Sequence, residues 1–274
     1  MPPIFLTANQ FAEQARTTPM GLLDARPAEA YVAAHAAGAA SLPAATLNPV
    51  VNGVRRLVEP APLARILRQA GVDDAPLTVY GSRGSSDAAH VAWTLRAYGH
   101  PAVYVLDGSL DDLVAAGLDV AQGPRSAPEP ARPFEPAPTR RRIEADELAS
   151  RLDDAELCLL DTRREDEVTG RTRAAPRGGH IPGAFHVDWR DALTDTGRLR
   201  PRHQLETLFA EPLASAEVAT YCQSGVRAAH TALLLEHLGH PHVRMYLSSW
   251  SEWGGRDDTP VATGAARRPD VVPR

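Results

Sequence analysis

The sequence predicts an α/β fold: two tandem domains of one type, each a mostly parallel sheet flanked by helices. Three observations carry this. Landmarks recur in the same order in both halves, at a spacing of roughly 140 residues. Leu22-Leu23-Asp24-Ala25-Arg26 returns as Leu159-Leu160-Asp161-Thr162-Arg163, and His35-Ala36-Ala37-Gly38-Ala39 as His180-Ile181-Pro182-Gly183-Ala184. Ala88-Ala89-His90 returns as Ala228-Ala229-His230, and Gly99-His100-Pro101 as Gly239-His240-Pro241. Within each half, short apolar runs alternate with amphipathic segments, the pattern of strands joined by helical crossovers. Between the halves, residues 122–139 hold six prolines and almost no apolar periodicity, which describes an extended, semi-rigid linker.

These signals set the expected boundaries: an N-terminal domain over 1–121, a linker over 122–140 and a C-terminal domain over 141–265. In the first half, residues 77–80 form a buried-strand candidate and 88–98 a helix ending at Gly99. In the second half, residues 143–152 read as a helix, with Glu144, Asp146 and Glu147 complementing the dipole of its first turn. Residues 157–161 and 217–221 read as buried strands ending at polar positions. Residues 228–238 form a helix rich in Ala and Leu that stops at Gly239. In parallel α/β sheets ligands sit beyond the carboxyl ends of the strands, so the loops after these strands are where chemistry is expected.

Composition narrows the function. Apolar residues make up 43% and charged residues 23%, suiting a globular chain. No run of 18 apolar residues exists, so no membrane partner is expected, and residues 1–23 lack the pattern of a secretory signal. A net charge of −5 argues against a nucleic-acid partner, which needs a basic face. All 29 basic residues are Arg, which excludes mechanisms built on a Schiff-base or P-loop Lys. The two cysteines, Cys158 and Cys222, make no disulfide framework and fit a reducing cytoplasm.

The most informative segment is Tyr221-Cys222-Gln223-Ser224-Gly225-Val226-Arg227-Ala228. A strand ends, one Cys follows, then a short loop with a Gly, then a helix. Loop amides and the positive end of the helix dipole then face the sulfur and favour negative charge there. Arg227 adds a full positive charge at the loop exit. The repeat supplies an internal control: Ser82, Ser85 and Asp87 stand where Cys222, Gly225 and Arg227 stand. The N-terminal loop is therefore expected to be catalytically inactive. His230 has a counterpart, His90, that faces no Cys, so packing explains it better than general-base catalysis.

The paired halves and the C-x-x-G-x-R loop resemble the tandem-domain rhodanese family of thiosulfate and 3-mercaptopyruvate sulfurtransferases. So do Arg177-Gly178-Gly179-His180-Ile181-Pro182-Gly183-Ala184 and Tyr246-Leu247-Ser248-Ser249-Trp250-Ser251-Glu252-Trp253-Gly254. The resemblance spans nearly the whole chain and is stronger in the C-terminal half. It implies that Cys222 attacks the outer sulfur of a small anionic donor, becomes a persulfide, and yields that sulfur to cyanide or a thiol acceptor. Gln223, Ser224, Gly225, Val226 and Arg227 would form the persulfide cradle. No metal or organic cofactor is implied.

Substrate choice is read from departures within the family. Vertebrate-type enzymes place a substrate Arg six residues after the Asp of the D-x-R motif; here that position is Glu167. Arg177 matches the family's second substrate Arg and is expected to be a clamp. Gln223-Ser224 lies between the thiosulfate and mercaptopyruvate loop types, while Arg227 resembles bacterial thiosulfate-type loops. Thiosulfate is therefore the expected donor, with mercaptopyruvate as the alternative, and a persulfide relay serving a protein partner as a third reading. Dual-specificity phosphatases share the fold, but their loop has five residues between Cys and Arg, and four intervene here. Cys158 reads as a core residue. His237, His240 and His242 lack a Cys or carboxylate to complete a metal site. The Asp24–Arg26 and Asp161–Arg163 pairs read as loop-fixing ion pairs. Trp250 and Trp253 either wall the pocket or pack beneath it.

Overall fold

A computed structural model describes residues 3–269. The N-terminal sheet contains β1 (Phe5–Leu6), β2 (Gly21–Asp24), β3 (Ala40–Ser41), β4 (Leu77–Tyr80) and β5 (Val103–Leu106), in the spatial order β1-β5-β4-β2-β3. The C-terminal sheet contains β6 (Leu157–Asp161), β7 (Phe185–His186), β8 (Glu217–Tyr221) and β9 (Val243–Met245), in the order β7-β6-β8-β9. Every pairing within the two sheets is parallel. The strands are short and apolar because both faces are covered, as parallel sheets require. Register carries the repeat into space: Asp24 pairs with Tyr80 across β2 and β4, and Asp161 with Tyr221 across β6 and β8.

The two halves meet through their central helices, Asp87–Ala97 and Val226–Leu238, which pack against each other. This explains why neither sequence shows a clean apolar stripe. Each helix has its own sheet on one side and the partner helix on the other, so it is apolar nearly all round. Leu233, Leu234 and Leu235 are consecutive and fully buried, each contributing about 1.5–3 kcal/mol by area. The C-terminal domain also secures the start of β1. Nδ1 of His237 accepts from the amides of Ile4 and Phe5, at 3.0 and 3.2 Å.

Beyond this contact, each domain reaches over the other's strand-to-helix loop. From the N-terminal domain, a hairpin (Val50–Val51 paired with Val54–Arg55) lies over the Cys222 loop. From the C-terminal domain, the turn closed by the Leu193–Leu199 bridge lies over the Ser82 loop. There Arg198 pairs with Asp112 and donates to the Asp107 carbonyl at 3.0 Å, and the Leu199 amide donates to Asp107 at 2.9 Å.

Residues 122–140 run along the N-terminal domain instead of spanning free space. Phe134 is buried against His100, and the Phe134, Ala137 and Thr139 amides donate to Val72, Tyr98 and Ala97 carbonyls. The helix expected over 143–152 is shorter, Ala145–Ala149. At one end the Ile143 amide is taken by the Met245 carbonyl; at the other Arg151 turns back onto Asp154 at 2.8 Å.

Candidate active site

Cys222 follows directly on β8 and stands just before the Val226–Leu238 helix. The residue is 1% exposed. Gly225 turns the chain into the helix at φ +82°, and its amide donates to Cys222 Sγ at 3.1 Å. A Cβ at this position would lie 2.6 Å from both the carbonyl oxygen and a methyl carbon of Leu247, so only glycine fits. Gly225 is the one loop residue whose amide makes a direct hydrogen bond to the sulfur among the described residues. The wider ring of amides expected from sequence is thus represented by a single close donor and the helix end.

A second segment holds the loop from behind. The Cys222 amide donates to Ser249 Oγ at 3.1 Å, and that hydroxyl donates to the Tyr246 carbonyl at 2.7 Å. The Trp250 amide donates to the Cys222 carbonyl and the Ser251 amide to the Gln223 carbonyl. Ser249 takes φ +55° while fully buried, a conformation that non-glycine residues rarely adopt. Gln223 reaches sideways and donates to the Ala174 carbonyl at 3.1 Å.

Charge around the loop is arranged by pairing. Arg227 makes a bidentate ion pair with Glu167, at 2.7 and 2.8 Å. Burial would raise the Glu167 carboxyl, but the Arg227 guanidinium holds it below the usual carboxylate range. Arg227 is correspondingly pushed up: its burial is outweighed by Glu167, with Cys222 and Asp161 contributing. Arg163 is sealed against Asp161 at 2.6 Å, with its guanidinium 4.6 Å from the Trp250 ring centroid. The same Asp–Arg hook occurs at Asp24 and Arg26, also at 2.6 Å. In both copies Arg donates on to a backbone carbonyl, of Ala34 or Gly179, so these pairs fix loops.

Arg55 approaches from the other domain. Its Nε donates to the Ser224 carbonyl at 3.0 Å, one Nη donates to Asn48, and its own carbonyl accepts from Ser248 Oγ at 2.9 Å. Burial lowers the Arg55 guanidinium, and the nearby Cys222 acts in the opposite direction.

The structure places Cys222, Gln223, Ser224 and Gly225 in one loop, with Val226 and Arg227 in the first turn of the helix that follows. Arg177 has a different occupation from the expected clamp. Its guanidinium donates to the Thr259 carbonyl at 2.7 Å, the Trp253 carbonyl at 2.6 Å and the Thr259 hydroxyl at 2.5 Å. Four bonds, counting a long one to Gly254, tie it to the 253–259 turn. Trp250 and Trp253 are 1% and 0% exposed and pack beneath the loop. His230 is buried edge-on to Phe5 and Trp189, and burial pushes it down to about 4. Cys158 packs at the core, where burial pushes its thiol up to about 11. His240 bonds the Ser215 carbonyl, away from His237.

Sequence reasoning missed Arg55, Ser249 and the partner of Arg227. Asn52-Gly53 between Val50-Val51 and Val54 is a hairpin signal that announces the segment carrying Arg55. Ser249 lies in the Tyr246–Gly254 segment already singled out, but its grip on the Cys222 amide comes from 27 positions away and that of Glu167 on Arg227 from 60, spans over which no local signal acts.

Comparison with known proteins agrees with this architecture. The profile of the rhodanese-like domain matches residues 7–116 and 144–256, and the chain belongs to the rhodanese family of sulfurtransferases. It is 31% identical over 229 residues to the thiosulfate sulfurtransferase of Corynebacterium glutamicum, covering 79% of this chain and 76% of that one. It is 35% identical over 281 residues to a probable 3-mercaptopyruvate sulfurtransferase of Pseudomonas aeruginosa, covering 94% and 98%. Among solved structures, the 3-mercaptopyruvate sulfurtransferase SseA of Escherichia coli superposes with TM-score 0.79 at 25% identity, over 91% of this chain and 100% of that chain. The anaerobic ergothioneine biosynthesis enzyme of Chlorobium limicola shares the fold, with TM-score 0.81 at 20% identity, over 96% and 70%.

Proposed function

We propose that this protein is a thiosulfate sulfurtransferase that works through a persulfide on Cys222. The carrying observation is one thiol at the mouth of a helix, with the Gly225 amide 3.1 Å from its sulfur. The Cys222 thiolate attacks the outer sulfur of thiosulfate. A bond forms between the two sulfurs, the S–S bond of thiosulfate breaks, and its electron pair leaves with sulfite. Charge balances, since thiolate and thiosulfate dianion give persulfide anion and sulfite dianion. Cyanide or another thiophilic acceptor then takes the terminal sulfur and restores the thiolate, completing a double displacement. The Gly225 amide and the helix dipole favour the anionic sulfur in both resting and loaded states. The cycle needs no metal or organic cofactor. Both cysteines are free thiols, which supports a reducing cytoplasm as its setting. No helix of the described residues is long and apolar enough to cross a membrane.

Thiosulfate is favoured by the resemblance of the Cys222–Arg227 segment to bacterial thiosulfate-type loops and by the Corynebacterium relative. The Pseudomonas relative, similar across almost the full chain, supports mercaptopyruvate as the second reading. Arg177 is assigned to bracing the turn beneath Trp253. The test is to mix protein with thiosulfate and weigh it intact. The expected gain is one sulfur atom on Cys222, lost as thiocyanate when cyanide is added. No gain with thiosulfate but gain with mercaptopyruvate would move the assignment to the second reading. Gain only from a loaded protein donor would make the chain a relay.

A further inference from the structure

The cations bordering the Cys222 loop are not equivalent. Arg163 is neutralised by Asp161 and Arg227 by Glu167, and the Arg177 guanidinium is engaged with the 253–259 turn. Arg55 has no carboxylate partner among the described residues. Its Nε and one Nη are held by the Ser224 and Asn48 carbonyls, and its second Nη makes no hydrogen bond among the described residues.

Its position is rigidly set. Asn52 and Gly53 both take positive φ, +52° and +79°, the combination of a type I′ hairpin turn. Ser248 then grips the Arg55 carbonyl from the other domain at 2.9 Å. The side chain is therefore fixed against the loop residue two positions after Cys222, at the seam where the domains meet.

We propose that Arg55, supplied by the domain that lacks a nucleophile, binds the anionic end of the sulfur donor, its free Nη facing the donor's oxygens while the outer sulfur meets Cys222. This rests on the sulfurtransferase reading above. In the balanced step, both negative charges of thiosulfate end on the departing sulfite, so a fixed guanidinium at that end serves binding and departure alike. The N-terminal domain then contributes a side chain that touches substrate, and the site is incomplete without it.

Arg55→Gln and Arg55→Lys separate this from a merely structural role. Two readouts are used: thiosulfate-dependent sulfur uptake, and alkylation of Cys222 by anionic iodoacetate and neutral iodoacetamide, located by peptide mass. Arg55→Gln is expected to lower kcat/KM for thiosulfate by about tenfold or more and to lower the iodoacetate-to-iodoacetamide rate ratio by about threefold or more. Arg55→Lys is expected to restore both most of the way. A general loosening of the loop changes both alkylation rates together and leaves their ratio unmoved. An unmoved ratio overturns the proposal, as does Arg55→Lys behaving like Arg55→Gln. If the unaltered protein takes no sulfur from thiosulfate, the activity reading falls separately, and the alkylation ratio alone decides whether Arg55 meets anions at Cys222.

Discussion

Replacing Gly225 with alanine probes the site through a single methyl group. Two costs can be worked from the structure. The residue sits at φ +82°, and a left-handed conformation costs an L-residue about 1–2 kcal/mol. The new Cβ would also stand 2.6 Å from the Leu247 carbonyl oxygen, a backbone atom that cannot swing aside. Overpacking of this kind costs about 1–3 kcal/mol. Together they give about 3 kcal/mol. At about 2–4 °C per kcal/mol for a chain of this class, the unfolding midpoint should fall by about 6–12 °C. Gly239, at the other end of the same helix, is the control. It takes φ +111° but has nothing within 4 Å of its would-be Cβ. Gly239→Ala thus meets only the conformational cost, about 1.5 kcal/mol, with a fall of about 3–6 °C. The assay is thermal unfolding followed by circular dichroism, paired with the rate of sulfur uptake from thiosulfate. Gly225→Ala should also slow uptake at least about tenfold, because the amide 3.1 Å from Sγ must move. Gly239→Ala should not. Equal midpoints for the two variants, or normal uptake by Gly225→Ala, would refute the reasoning.

Other outcomes follow from the same contacts. Cys222→Ser should take up no sulfur while unfolding at an unchanged midpoint, and Cys158, its thiol pushed up to about 11 by burial, should stay unmodified in intact-mass spectra near neutrality. Glu167→Gln leaves Arg227 without a charged partner; it should destabilise the chain by about 2 kcal/mol in urea titrations and raise the iodoacetate-to-iodoacetamide ratio at Cys222. Arg177→Ala should lower the unfolding midpoint and affect both alkylating reagents equally; a selective loss toward the anionic one would restore the clamp reading. Burial pushes His230 down to about 4, and burial with the Arg55 charge pushes His90 down to about 3, whereas both return to about 6.5 when unfolded. The unfolded chain therefore binds more protons in acid. Their contribution to stability is complete above about pH 6.5 and is lost as the pH falls toward about 4 for His230 and about 3 for His90, and urea midpoints between about pH 7.5 and 4.5 will register the onset of that loss.

The paired arrangement places a segment of each domain over the strand-to-helix loop of the other. The Ser82 loop of the N-terminal domain is covered by Arg198 and Leu199, while the hairpin of that domain covers the Cys222 loop. One architecture is used twice, with Cys222 and Arg227 in one copy where Ser82 and Asp87 stand in the other, and under the proposed mechanism this difference confines the chemistry to one side.

Much of this was legible in the chain itself. The repeat, the Pro-rich seam and the apolar runs ending in Asp-x-Arg or Cys are local patterns, and local patterns determine strands, helices and the loop between β8 and its helix. Cys222, Gly225 and Arg227 lie within six residues of one another, so their closeness needs no folding to foresee. Tertiary structure decided what lies across from them. Glu167 reaches Arg227 from 60 positions away and Arg55 reaches Ser224 from 169, distances over which sequence spacing carries no geometry. Arg177 shows the converse: its type and neighbourhood suit an anion clamp, but only the folded turn at 253–259 reveals that its donors are already engaged. A charged group's role depends on which partners surround it in space, and that is settled by packing rather than by its place in the chain.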